Sequence, residues 1–138
     1  MAALSKRLIT KSSSRRQLID ITDEVRSFVH GAGVGEGICM VSVPHATAAV
    51  IANEHETGLL NDLLARIEAL FPSSGRYAHN AIDDNADAHV AAAFLGNSRQ
   101  FPISNGEIVR GTWQNIFLVE LDGPRAHREV VLQAVGEP

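Results

Sequence analysis

The chain has 138 residues, of which 45% are hydrophobic and 20% are charged, so it has the length and composition of a single globular domain with its own core. Its formal net charge of -4 argues against a general nucleic-acid-binding protein. Its one cysteine, Cys39, excludes an intramolecular disulfide, and no stretch reaches the roughly 20 apolar residues of a membrane helix. We therefore expect one cytoplasmic domain over residues 1–138, without nucleic-acid or membrane partners.

The first half of the chain predicts short strands around one helix. A Ser-rich turn separates the first two strands, and glycines after the helix favour its termination. Apolar and β-branched residues then predict a buried strand. In chain order, the predicted elements are strands at 6–12 and 16–21, a helix from an N-cap at Thr22 to about His30, a strand at 37–43 and an extended stretch at 48–53.

The second half begins with the strongest helical pattern in the sequence. Apolar residues from Leu59 to Phe71 recur at three- and four-residue steps, with Thr57 as the expected cap. A long polar loop at 72–85 precedes an Ala-rich helix at 86–95. Antiparallel strands are predicted at 100–103 and 107–110 around the turn Asn105-Gly106, at 113–121 and at 127–135. This order predicts a compact α+β domain with a mainly antiparallel sheet and two or three helices.

Three histidines lie at the ends of predicted elements or in the polar loop. His45 follows a buried strand, His79 lies in the polar loop and His89 begins the Ala-rich helix. Three imidazoles are a common ligand set for zinc and related metals. Spacing leaves two alternatives open, such a site or three unrelated histidines, because the separation of His79 and His89 matches no standard zinc motif. The remaining histidines, expected at a helix end or in exposed turns without function, are His30, His55 and His127.

Other polar residues suggest further parts of a site. The pair Asn53-Glu54 could form a polar wall, or could be a solvated approach to a helix. Trp113-Gln114 offers a stacking face and an amide, although the tryptophan could equally belong to the core. Ser98 and Arg125 could bind an anion, Arg125 by a bidentate contact, or could simply be exposed.

Several segments together resemble the YjbQ family. They are LIDITDEV at 18–25, EGICMVSVPHATAAVIANE at 36–54, YAHN at 77–80, DDNADAH at 83–89 and FLGNS at 94–98. The clearest segment is FPISNGEIVRGTWQNIFLVELDGPR at 101–125, in which Gly106 and Gly111-Thr112-Trp113-Gln114 carry the family signature. The resemblance covers about residue 6 to the C-terminus. One departure is Ala46, where the family usually has threonine after its histidine.

The resemblance implies a compact α+β domain that assembles as a homotrimer. It also implies a metal-dependent thiamine-phosphate synthase activity, which joins a pyrimidine diphosphate to a thiazole phosphate and releases pyrophosphate. The alternatives are a metal-assisted phosphate-ester hydrolase and a non-catalytic trimer that binds a metal or a small ligand.

The same resemblance assigns roles to individual residues. The expected ligands of a divalent metal are His45, His79 and His89. Zinc is favoured at these histidines, and magnesium is the alternative with a diphosphate substrate. The residues expected in catalysis are Glu54, Asp84 and Asn85. The residues expected to bind a small phosphorylated substrate are Asn53, Ser98, Trp113, Gln114 and Arg125.

Overall fold

Residues 1–138, described by a computed structural model, form eight strands, three α-helices and one 3₁₀ helix. The strands are β1 (Ala2–Thr10), β2 (Gln17–Asp20), β3 (Glu36–Ser42), β4 (Ala48–Asn53), β5 (Ser98–Ser104), β6 (Glu107–Ile108), β7 (Asn115–Glu120) and β8 (Arg128–Glu137). The helices are α1 (Thr22–His30), α2 (Thr57–Leu70), the 3₁₀ helix (Ala78–Ala81) and α3 (Ala86–Leu95).

The strands form two antiparallel sheets, so the predicted α+β class is confirmed. Sheet A has the order β1-β8-β3-β5-β6, and sheet B has the order β2-β7-β4. The strand expected at 6–12 is observed at Ala2–Thr10 because it pairs with β8 along its whole length, from Ala2 opposite Gly136 to Thr10 opposite Arg128. A main core of seventeen buried residues draws on both sheets and on α1.

Helices α2 and α3 pack with sheet B, in a second buried cluster. Its members are Ala49, Ile67, Ala88, Ala91, Ala92, Val119 and Leu121. The expected cap of α2 at Thr57 is wrong, because the Glu56 side chain accepts the backbone N–H groups of Gly58 and Leu59. The longest helix has 14 residues, and none is long and apolar enough to span a membrane.

The expected N-cap at Thr22 is also wrong, and the reason bears on function. The residue before α1 is Ile21, and no side chain caps the helix. The Thr22 hydroxyl instead donates to Asp20 Oδ1 at 2.5 Å and accepts the backbone N–H of Ile116 at 2.8 Å. Thr22 therefore ties the end of β2 to β7.

The outer face of sheet A is exposed along an apolar row. Ala3, Val135, Ile38 and Pro102 lie side by side across β1, β8, β3 and β5, and Ile38 is 57% exposed. The strand predicted at 37–43 as buried is therefore buried on one face only. We call this row the sheet A patch.

Candidate functional site

The histidine pocket is a cavity of about 440 Å³. It lies at the C-terminal end of β7, just before Leu121. Its polar lining consists of His45, His89 and Asn97. Ala48, another lining residue, is paired with Glu120 at the end of β7, which fixes the position of the pocket in sheet B. The volume falls in the range typical of small-molecule sites.

His45 is held in one tautomer by the backbone. Its Nε2 accepts the N–H of Glu129 at 2.9 Å, so in the neutral ring the proton lies on Nδ1. Burial, assisted by the nearby Arg128 charge, lowers the pKa of His45 and so favours this neutral ring. Nδ1 is therefore a hydrogen-bond donor, whereas a metal ligand would need a lone pair there.

His79 and His89 are in contact with each other. Their ring centroids are 4.8 Å apart, in an edge-to-face arrangement. Asn85 Nδ2 donates to Asp122 Oδ2 at 2.8 Å, which leaves Asn85 Oδ1 to accept from His79 Nε2 at 3.2 Å. Asn85 therefore orients the His79 ring. His89 makes no hydrogen bond within the chain and lines the pocket, so its ring can meet a ligand there.

Ion pairs occupy the charged residues around this contact. Arg125, expected to bind phosphate, donates to Asp122 Oδ2 at 2.8 Å and is half exposed. Asp87, which is 1% exposed, accepts from Arg15 and Arg16. The ion pairs of Asp87 therefore connect α3 to the segment just before β2.

The three imidazoles do not form a metal-binding group in this chain. No set of three histidine, cysteine or acidic side chains is arranged to hold a metal ion, and the Nε2 lone pair of His45 is already used by Glu129. The expected ligand set thus does not fit the geometry of a single chain. Zinc at the histidines, or magnesium with a diphosphate, stays a prediction without support from these residues.

The remaining predicted site residues are divided between two places. Ser98 begins β5 opposite Ser42, next to Asn97 in the histidine pocket. Asp84 is exposed, and its backbone N–H donates to Asp83. The residues that lie at the opposite end of β7 are Asn53, Glu54, Trp113 and Gln114.

This separation is set by the length of β7. Asn53 pairs with Asn115 and Ala48 pairs with Glu120, and five steps of about 3.4 Å place these two ends roughly 17 Å apart. Trp113 is 71% exposed and does not line the histidine pocket, so it belongs neither to the core nor to the pocket. Gln114 Oε1 accepts the N–H of Gly111 at 2.6 Å. One chain thus has two polar regions, whereas the sequence predicted one site.

The second region contains a pair that the sequence analysis missed. His55 Nδ1 donates to Asp20 Oδ2 at 2.5 Å, and Asn115 Nδ2 donates to the same oxygen at 2.7 Å. Both β2 and β4 run antiparallel to β7, with Asp20 opposite Phe117 and Asn53 opposite Asn115, so both strands end beside the first three residues of β7. Burial alone would raise the pKa of Asp20, but hydrogen bonds from Thr22, Asn115 and His55 lower it to about 2.

Comparison with known proteins identifies relatives along the whole chain. The family model described as UPF0047 protein YjbQ-like matches residues 6–137. A UPF0047 protein of Methanothermobacter thermautotrophicus is 41% identical over 138 residues, which cover 100% of this chain and 96% of the relative. UPF0047 protein YugU of Bacillus subtilis is 33% identical and covers 87% of this chain and 91% of its own length.

Solved structures give the same result. A YbjQ-like protein of unknown function from Sulfolobus solfataricus is 47% identical and superposes with a TM-score of 0.97, covering 98% of each chain. An uncharacterized YjbQ/UPF0047 protein from Clostridium acetobutylicum is 37% identical and superposes with a TM-score of 0.87, covering 96% of this chain and 99% of its own.

These comparisons overturn the expected thiamine-phosphate synthase activity. The relatives and structural neighbours carry names of uncharacterized proteins or proteins of unknown function, and none is named as a synthase. The geometry supplies a physical reason for the correction. A departing diphosphate needs concentrated positive charge, whereas Arg125 is paired with Asp122 and the histidines do not form a metal-binding group.

Proposed function

The chain belongs to the family of UPF0047 YjbQ-like proteins, and we propose that its histidine pocket binds a small phosphorylated molecule through hydrogen-bond donors. The observation that carries the proposal is the tautomer of His45. Because Nε2 accepts from Glu129, Nδ1 carries the proton. A donor recognises an acceptor oxygen, and phosphate oxygens are strong acceptors.

The other polar residues of the pocket suit the same ligand. The side-chain amide of Asn97 and the unbonded ring of His89 can each donate to an oxygen. His79 touches His89 and is oriented by Asn85, so an ordered second imidazole supports the His89 ring beside the pocket. Alanines and a glycine line the rest of the cavity, which leaves room for a small organic group beside the phosphate.

The proposal predicts that His45→Ala weakens phosphate binding by about tenfold or more. A hydrogen bond to a charged group contributes roughly 1.5–3 kcal/mol, and 1.4 kcal/mol corresponds to a factor of ten. Calorimetric titration with inorganic phosphate and with glycerol 3-phosphate measures the change.

The matched control for this titration is His127→Ala, because His127 is exposed and does not line the pocket. We expect the control to bind like the wild type. Equal affinity in His45→Ala, or no phosphate binding by the wild type, contradicts the proposal. One equivalent of bound Zn²⁺ that His45→Ala abolishes would support the metal site instead.

We further propose that three copies associate through the sheet A patch. Its apolar row crosses four neighbouring strands, and the central members Ile38 and Val135 are both exposed. Contiguous exposed apolar surface of this kind is typical of protein–protein contacts. The family resemblance implies a homotrimer, so we propose that a second copy of the same chain covers the patch.

Ile38→Glu is expected to turn the trimer into a monomer. The substitution places a charge at the centre of the patch, where burial against another copy would cost several kcal/mol. Sedimentation velocity of the two proteins at equal concentration measures the change. Ile82→Glu is the control, because Ile82 is 84% exposed and lies in the loop before α3. A monomeric wild type, or a trimeric Ile38→Glu protein, rules out this interface.

A further inference from the structure

Asp20 and His55 form a hydrogen-bonded pair away from the histidine pocket, in which the carboxylate orients the imidazole. The Asp20 carboxylate accepts four hydrogen bonds. At Oδ1 the donors are the backbone N–H of Thr22 at 2.9 Å and its hydroxyl at 2.5 Å. At Oδ2 they are the Asn115 amide at 2.7 Å and His55 Nδ1 at 2.5 Å. The carboxylate is therefore fixed by β2, α1 and β7 before it meets the imidazole.

The geometry defines which nitrogen of His55 can react. Nδ1 donates to Asp20, so the neutral ring has its lone pair on Nε2. Nε2 makes no hydrogen bond within the chain, and the side chain is half exposed. The ring also packs against Phe117 in a tilted arrangement, with centroids 5.4 Å apart. His55 is thus an oriented and accessible base, held in place by an adjacent carboxylate.

The charges around His55 determine the kind of substrate. Its sequence neighbours are Glu54 and Glu56, and its partner is Asp20. The cations on this side are Arg110, which donates to the Gln114 carbonyl, and Lys11, which lines a cavity with Asp20. The three carboxylates outnumber them, and this balance favours an uncharged electrophile over a phosphate ester. Asn53 Nδ2 and Gln114 Nε2 lie at the same end of sheet B and make no hydrogen bond within the chain. Both are neutral donors suited to a carbonyl oxygen.

We propose that Asp20 and His55 form a general-base dyad that hydrolyses small uncharged carboxylic esters. His55 Nε2 takes a proton from water, and the water oxygen forms a bond to the acyl carbon. The bond between that carbon and the leaving oxygen then breaks, and the proton on Nε2 passes to the departing alkoxide. The products are a carboxylic acid and an alcohol. His55 is the catalytic residue, and Asp20 is a positioning residue.

The test is hydrolysis of p-nitrophenyl acetate by the full-length protein. Positioned general bases contribute about 10²–10⁴-fold, so His55→Gln is expected to lower the second-order rate constant by about 100-fold. The chain offers a matched control in His30→Gln. His30 Nδ1 also meets a carboxylate, Glu107 at 2.6 Å, but His30 is more exposed and Glu107 accepts no other side-chain hydrogen bond.

We expect His30→Gln to keep the wild-type rate. A His55→Gln protein that remains folded and keeps the wild-type rate overturns the proposal. An equal loss in the two variants also overturns it, because that result would show non-specific imidazole reactivity. Phosphate binding in the histidine pocket is measured separately, so either proposal can fail without the other.

Asp20→Asn tests the positioning role with a spectroscopic readout. Long-range ¹H–¹⁵N spectra of wild-type His55 are expected to show the proton on Nδ1. In Asp20→Asn they should show a mixture of tautomers, together with a slower reaction. A merely structural contribution of Asp20 would change thermal stability without changing the tautomer. An unchanged Nδ1–H tautomer in the folded variant contradicts the role assigned to Asp20.

Discussion

Arg128→Met is expected to lower the free energy of unfolding by about 3–5 kcal/mol, as is typical when one partner of a buried ion pair is removed. Glu120 is fully buried, and Arg128 donates to it through Nε at 3.0 Å and Nη2 at 2.5 Å. Burial opposes ionisation of Glu120, but hydrogen bonds from Arg128 and Ser12 lower its pKa. Without Arg128, a large part of that compensation disappears and the buried carboxylate is left poorly solvated.

The control for Arg128→Met is Arg7→Met. Arg7 forms an exposed ion pair with Glu129 at 2.7 Å, and such pairs contribute about 0–1 kcal/mol. Urea unfolding should be followed by far-UV circular dichroism, because the only tryptophan, Trp113, is already 71% exposed when folded. A loss in Arg128→Met no larger than that in Arg7→Met would show that the buried pair is not a major source of stability.

The same ion pair supports the histidine pocket. Arg128 also donates to the Thr47 carbonyl at 3.1 Å and hydroxyl at 2.9 Å, which joins the start of β8 to the segment before β4. The next N–H along β8, that of Glu129, is the one that fixes His45. The buried pair and the His45 tautomer are therefore parts of one arrangement.

Elements whose conformation is determined by neighbouring residues in the chain could be predicted from the sequence. The Ala-rich helix at 86–95 and the stretch at 48–53 have the predicted bounds. The Asn105-Gly106 turn is also confirmed, with φ values of 51° and 77° that favour these two residue types. Each of these features depends on residues that are neighbours in the chain, so a short window contains the necessary information.

Features that depend on strand order could not be predicted. The run at 37–43 is apolar on both faces, so its pattern did not show that Ile38 would be exposed. Asp20 and His55 are 35 residues apart and meet only because β2 and β4 flank β7. His45 and the N–H that sets its tautomer are 84 residues apart. Residue type identified His45, but its role as a donor required the tertiary contact.

The free energy of unfolding is expected to fall at acid pH, because Asp20 becomes protonated there. Its pKa is about 2 when folded, against 3.8 for the unperturbed group. A folded-state pKa below the unfolded value gives stability that is fully present above about pH 4 and is lost as the pH falls towards 2. At roughly 1.4 kcal/mol per unit, Asp20 contributes about 2–3 kcal/mol near neutral pH.

Asp20→Asn isolates this contribution, because asparagine keeps the shape of the side chain but removes its charge. The difference in unfolding free energy between wild type and variant should be about 2–3 kcal/mol at pH 6. Urea unfolding at intervals down to pH 2.5 should show this difference shrinking by more than half, since protonation removes the wild-type advantage. Asp23→Asn is the control, because Asp23 is exposed in the first turn of α1 and should matter by less than about 1 kcal/mol. A difference that stays constant with pH would mean that Asp20 stabilises the fold by its shape rather than by its charge.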